Sequence, residues 1–245
     1  MKSINIILLS LVVAVFFFSA CKDNPQKLTP PDRNADKVFA KDTIKPAQVT
    51  NTVFFDFEDC ETNRLPEGWS QYYNGKGTTD WRVKQLGQNK VMQQTADNNP
   101  NNHFNIAVYD SLEAADVSMS VRFKAISGHY DQGGGLVWRF SDKDNYYVVR
   151  ANPLEDNLVL YKVENGVRTD LPVLGEGRTY GVKTAKLGKD WHELKLVARD
   201  DLFIVFLDGK EMFRVKDSTF TSPGKTGLWT KADAVTAFDD FRIEY

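Results

Sequence analysis

From Val53 to Tyr245 the chain repeatedly alternates apolar and polar side chains, and a period of two restricts such segments to half-buried strands. In VFFDFED, Val53, Phe55 and Phe57 share one face, and Phe54, Asp56 and Glu58 share the other. The runs SMSVRFKA, GGLVWRF, NYYVVRA, NLVLYKV, HELKLVA, LFIVFL and EMFRV follow, each rich in β-branched or aromatic residues and bounded by turn formers. Asn165-Gly166 and Asp208-Gly209 sit between such runs and suit type I′ turns, whose positive φ angles favour Asn, Asp and Gly. A third hairpin is expected at Asp200-Asp201, and a longer, four-residue turn at Ser141 to Asp144. Helical periodicity extends at most to one turn near Leu112. Without strand–helix–strand alternation there is no phosphate-cradling turn. Short strands joined by tight hairpins predict an all-β, antiparallel sandwich or barrel.

The 245 residues suffice for one large all-β domain or two small ones, and a formal net charge of -2 gives no nucleic-acid footprint. Cys21 and Cys60 are the two cysteines, which excludes a disulfide framework and a cysteine-rich metal site. At the N-terminus, Lys2 precedes the apolar run IILLSLVVAVFFF, which is short for a membrane span and ends in small residues. Residues 1–20 therefore read as a signal peptide. Residues 22–50 mix charge and proline without any period, so they cannot bury enough surface to offset their ordering entropy. The expected organisation is a signal peptide over 1–20, a modified cysteine and linker over 21–51, and a β-sandwich over 52–245.

Four resemblances refine this reading. FSAC, residues 18–21, resembles a bacterial lipobox, with Phe18 where Leu is commoner. It implies a lipidated Cys21 and an outer-membrane lipoprotein, periplasmic or surface-exposed, held to the membrane through its lipid anchor alone; an ordinary secretory cleavage is the alternative. Lys22 and Asp23 resemble the charged residues that send some Bacteroidetes lipoproteins to the cell surface. WHELKLVARDDLFIVFLDGKEMFRV resembles the hairpin signature of concanavalin A-like and laminin-G-like jelly rolls. GGGLVWRFSDKDNYYVVRANP resembles a strand pair of the 3-keto-disaccharide hydrolase domain family, which is similar to family 16 glycoside hydrolases, and GKTGLWTKADAVTAFDDFRIEY resembles the last two strands of the same superfamily. The resemblance spans about residues 52–245 and implies a concanavalin A-like jelly-roll sandwich acting on or binding glycans, as a monomer.

A glycosidase needs two carboxylates, about 5 Å apart for retention and farther for inversion. The family 16 string Glu-x-Asp-x-x-Glu is absent. The nearest acids are Asp56 to Glu61 and the loop pair Glu155-Asp156. Where the keto-disaccharide hydrolases show a Gly-Leu-Gln-x-His-like stretch, this chain has Gly227-Leu228-Trp229-Thr230. Of three histidines, His192 reads as structural, while His103 and His129 lie in loops, where either could act as an acid or base or simply be solvated. No spacing supports a zinc site or an activated nucleophile. The sequence thus keeps three readings open: a non-catalytic glycan-binding module, a glycoside hydrolase using loop acids, and a structural envelope lipoprotein.

Two features suggest sites. Closing the turn at Ser141 to Asp144 puts Leu136, Trp138, Phe140, Tyr147, Val149 and Ala151 on a core face. Val137, Arg139, Tyr146, Val148 and Arg150 then share the other. Arg139, Tyr146 and Arg150 are the candidate ligand-binding residues, since arginine donates to hydroxyls or acids and tyrosine offers a stacking ring; a solvated, salt-bridged face is the alternative. The second feature is FDDF, residues 238–241, where Asp239 falls in step with Phe241, Ile243 and Tyr245. First and last strands are neighbours in such jelly rolls. Glu58 and Asp240 are therefore candidate ligands for a structural Ca²⁺, an ion that takes six to eight oxygens. The alternative pairs Asp240 with an arginine such as Arg242 and leaves Asp239 capping the edge of the core.

Overall fold

The computed structural model describes residues 51–245. The signal-peptide reading, Cys21 and the linker reading up to residue 50 lie outside the described residues. Within them are sixteen strands and no helix. The first eight are β1 (Thr52–Phe55), β2 (Trp69–Asn74), β3 (Trp81–Leu86), β4 (Asn89–Gln94), β5 (Phe104–Ala114), β6 (Val117–Ser127), β7 (Gly134–Asp142) and β8 (Asn145–Asn152). Then come β9 (Asn157–Glu164), β10 (Val167–Asp170), β11 (Val182–Lys183), β12 (His192–Arg199), β13 (Leu202–Leu207), β14 (Lys210–Lys216), β15 (Gly224–Lys231) and β16 (Val235–Glu244).

All pairings are antiparallel and build two eight-stranded sheets. Sheet A runs β14-β13-β12-β6-β16-β4-β3, with β1 beside β16. Sheet B runs β10-β9-β8-β7-β15-β5-β2, with β11 beside β9. The chain passes repeatedly from one sheet to the other, so each sheet's strands come from distant parts of the sequence. As expected, the first and last strands pair, Phe55 opposite Phe241.

The core lies between the sheets. Leu136, Trp138, Tyr147 and Val149 from sheet B meet Phe123, Leu196, Phe203 and Phe238 from sheet A, all fully buried. Burial of each such side chain contributes about 1.5–3 kcal/mol. The hairpin turns follow the dipeptides. Asn165 and Gly166 have φ of 51° and 77°, and Asp208 and Gly209 have 50° and 76°. Asp200, with φ of 49°, turns the third hairpin.

Three local expectations fail, each at a bulge. The β7–β8 turn is two residues, Lys143-Asp144, because Asp142 pairs with Asn145. The register then shifts between Trp138 and Asp142, with Arg139 at φ 48°. This flips Phe140 out of the inter-sheet core and onto the other face of sheet B, and it turns Arg139 the opposite way. In β16 the register shifts between Asp239 and Arg242, with Asp240 at φ 51°. Phe238 therefore joins Phe241 and Ile243 in the core, and Asp239 falls out of step with them. Aspartate tolerates positive φ better than most residues, and Asp239 Oδ1 accepts the Asp240 backbone N–H at 2.8 Å. Near Leu112 no helical turn forms. β5 pairs with β15 up to Tyr109 and again at Glu113, and Leu112 reaches the core from the intervening bulge.

Candidate functional site

The outer face of sheet B is not the solvated surface that alternation suggests. Ile106, Val137, Tyr146, Val148, Tyr161 and Trp229 belong to a second buried apolar cluster there. Of the three predicted ligand residues, Tyr146 and Arg150 lie on this face and Arg139 does not. Arg139 is buried beside the inter-sheet core, its guanidinium 5.5 Å from the centroid of Phe203. It donates to the carbonyls of Ala115 (2.8 Å), Phe220 (2.7 Å) and Asp200 (2.6 Å). All of these tie one end of the sandwich together, so Arg139 is structural. Tyr146 is fully buried, and burial drives its phenol far above the ordinary range.

Arg150 anchors a polar array. It rises from β8 and is 1 % exposed. One guanidinium nitrogen donates to Asn157 Oδ1; another donates to Glu155 Oε2 at 2.8 Å and to the Tyr161 hydroxyl at 3.2 Å. Asn157 Nδ2 also donates to Glu155 at 3.0 Å. The β8–β9 connection explains the convergence, since the turn after Asn152 brings Glu155 and Asn157 back over Arg150. Burial opposes the charge on Glu155, but the Arg150 charge and the hydrogen bonds from Arg150 and Asn157 outweigh it and hold the carboxyl below the usual range.

Beside this array opens a cleft of about 470 Å³, lined by Leu154, Glu155, Asn157, Thr179, Tyr180, Gly181, Val182 and Lys183. Its far wall is the segment leading into β11. Gly181, at φ 74°, lets that wall hug β9, since a Cβ there would sit 1.9 Å from the Leu158 carbonyl oxygen. Tyr180 stands half exposed at the cleft, held at φ 56°, a strained angle for a bulky residue. Its hydroxyl meets that of Tyr161 at 3.0 Å, which links the cleft to Arg150.

The opposite side of Arg150 is closed by the loop between β6 and β7. Asp233 fastens this loop by accepting the backbone N–H groups of His129 (2.6 Å), Tyr130 (2.9 Å) and Asp131 (3.1 Å). The fastening buries Asp131, whose carboxyl accepts from Gly133 N at 2.7 Å and lies 3.4 Å from Lys231 Nζ. Burial outweighs the nearby charges of Arg150 and Lys231 and pushes the Asp131 carboxyl up. Lys231 and Arg168 then line a second cleft, of about 440 Å³, with Asn101, Asn102 and Phe104.

The predicted metal ligands are not brought together. Glu58 accepts the Lys90 backbone N–H of β4 at 2.9 Å, whereas Asp240 pairs with Arg122 of β6 at 3.0 Å, on the other side of β16. The arginine partner is thus Arg122 rather than Arg242, whose guanidinium lies over the Phe54 ring. Among the described residues no group of three or more His, Cys, Asp or Glu side chains is placed to hold a metal. His103 is buried rather than solvated, with its ring nitrogens facing Lys76 O at 3.0 Å and Asn105 Oδ1 at 2.9 Å. His129 is exposed, and His192 is structural, bridging Asp208 (2.8 Å) and Leu187 O (2.9 Å).

No protein-family model matches the sequence, and no curated protein matches it. Solved structures do match in fold. The carbohydrate-binding module CBM66 from Bacillus subtilis superposes with a TM-score of 0.55 at 23% identity, over 73% of this chain and 96% of that one. The fold is a concanavalin A-like jelly roll. The GH43 protein BlXynB from Bacillus licheniformis superposes with a TM-score of 0.52 at 16% identity, over 78% of this chain but 39% of the other. At these identities the likeness is one of fold alone. Sequence reading picked out Arg150 and the loop acid Glu155 separately. It missed Asn157, Tyr161 and Tyr180; the spacing Arg150, Glu155, Asn157 across a hairpin turn was a signal for Asn157, and none was available for the two tyrosines, which join the array through tertiary contacts.

Proposed function

We propose that this protein is a lipid-anchored glycan-binding module of the cell envelope, and that the glycan enters the cleft between Tyr180 and the Arg150–Glu155–Asn157 array. The carrying observation is the pairing of an open cleft with a strained, half-exposed tyrosine on one wall and a fixed donor–acceptor array on the other. Sugars combine apolar C–H faces with hydroxyls. They are therefore held by an aromatic ring plus pre-positioned polar groups. The similarity to a carbohydrate-binding module supports this at the level of fold.

Glu155 is the one carboxylate lining that cleft. Hydrolysis needs two across the bond, so binding is the better-supported activity. On a glycan array, Tyr180→Ala should weaken the wild-type hit about tenfold, equivalent to about 1.4 kcal/mol, while the melting temperature stays near that of wild type. Undiminished binding by that variant would remove the cleft from the reading. Release of reducing sugar from the bound glycan by the purified domain would replace it with the hydrolase reading. The anchor rests on FSAC after the apolar run. Cys21→Ser should lose metabolic labelling by palmitate, and retained labelling would end the lipoprotein reading.

A further inference from the structure

We propose that the second cleft is a subsite for a carboxylate of the glycan, so that the ligand is an acidic, uronate-bearing saccharide. This rests on the glycan-binding reading and names its ligand class. Arg168 reaches from β10 across the outer face of sheet B. Its guanidinium lies 4.4 Å from the ring centroid of Tyr161, 4.9 Å from Phe104 and 5.9 Å from Trp229.

The three rings fix the plane of the guanidinium but do not satisfy its N–H groups. Arg168 Nη1 is buried and has no hydrogen-bond acceptor. The acid nearest along the strand, Asp170, holds Arg178 through Oδ1 at 2.9 Å, and its buried Oδ2 has no partner, Arg168 included. The Tyr146 hydroxyl on the same face is also buried without a hydrogen-bond partner, although the Trp229 indole lies beside it.

Lys231 supplies a second cation to this cleft. Its ammonium is shared between Asn101 Oδ1 and Asp131 Oδ2, and three N–H donors on two partners leave one to spare. The cleft between them is lined by Asn101, Asn102, Phe104, Arg168 and Lys231, two cations and no acid. Leaving a desolvated guanidinium nitrogen unpaired is costly, and a carboxylate in the cleft toward which the Arg168 side chain turns would remove that cost with charge-assisted hydrogen bonds. A neutral sugar offers hydroxyls, which bind a guanidinium more weakly.

One buried side chain, Tyr161, touches both arginines. The Tyr161 ring lies under both Arg168 and Arg150, at 4.4 and 5.9 Å, and its hydroxyl reaches Tyr180. On this proposal a saccharide held against Tyr180 would extend a neighbouring unit toward Arg168.

The test is an array of uronate- and sialate-bearing glycans, each printed beside its methyl ester and beside sulfated glycans, probed with wild type and Arg168→Met. Wild type should prefer a free acid at least tenfold over its ester. Arg168→Met should erase that preference while still melting cooperatively. Arg168→Lys should retain part of it. Equal binding of acid and ester, or a preference that survives Arg168→Met, would overturn the carboxylate subsite. So would a preference for sulfated over carboxylated glycans. Tyr180-dependent binding of neutral glycans alone would sink this subsite and leave the glycan-binding reading standing, whereas silence across the whole array would sink both.

Discussion

Arg150→Ala should lower stability by about 3–5 kcal/mol, the usual cost of removing one partner from a buried charged network. For a domain of this size that corresponds to a fall in melting temperature of roughly 6–20 °C. The side chain is buried, and it is the common partner of Asn157, Glu155 and Tyr161. Truncation leaves those groups facing each other, with the buried Asp131 losing a compensating positive charge. Lysine should not rescue fully, because a single ammonium cannot reproduce the guanidinium fork. A melting temperature within two degrees or so of wild type would show that the array does not hold the sheet together.

The same network has a pH signature. Glu155 has a lowered pKa in the folded state, so its contribution is present above the ordinary carboxylate range and is lost as pH falls through its lowered value. Asp131 works the other way, since its raised pKa means that ionisation costs stability as pH rises through that value. In Arg150→Ala the acid-side loss due to Glu155 should largely vanish. Thermal melts of wild type and variant across the acid range measure this directly.

The second large effect is expected in the inter-sheet core. Trp138→Ala should cost about 3–5 kcal/mol through lost burial and a residual cavity. Trp138 is fully buried, stacked on Tyr147 with centroids 5.2 Å apart and meeting Phe203 edge-on at 5.2 Å. Both sheets therefore lose contacts together. Trp138→Phe should cost less, because the phenyl ring keeps most of the burial and leaves a smaller cavity, and because the indole N–H has no hydrogen-bond partner, so that its removal leaves no polar group stranded. Denaturant unfolding of the two variants separates these outcomes, and equal losses would assign a structural role to the indole nitrogen.

Much of the architecture was legible from local rules. The Asn165-Gly166 and Asp208-Gly209 turns adopt the positive φ angles their residues favour. Leu136, Trp138, Tyr147, Val149 and Ala151 share the core face that alternation assigns. The candidate site was legible in fragments. Arg150 stood out as a charged residue on a strand and Glu155 as an acid in a loop, but nothing local joins them to Tyr180 or Asp131. Those contacts depend on β11 folding back along β9 and on Asp233 gripping a loop about a hundred residues earlier in the chain.

The paired acids of FDDF show the same boundary. Alternation alone puts Asp239 in step with Phe241, and the bulge at Asp240 puts Phe238 there in its place. An inserted residue moves the following side chains to the opposite face, and its φ is set by the neighbouring strands as much as by its own preference. The sequence by itself determined an all-β, antiparallel chain, most of its strands from Val117 onward and the hairpins at Asn165-Gly166, Asp200-Asp201 and Asp208-Gly209, because periodicity and turn chemistry act over a few residues. The tertiary structure alone decided that Arg139 braces one end of the sandwich. It also decided that Tyr146 is buried and that Arg150 and Arg168 share a face of sheet B with Tyr161 and Trp229. Alternation defines two faces of a strand, but what covers each face is set by strand pairing between segments far apart in the chain.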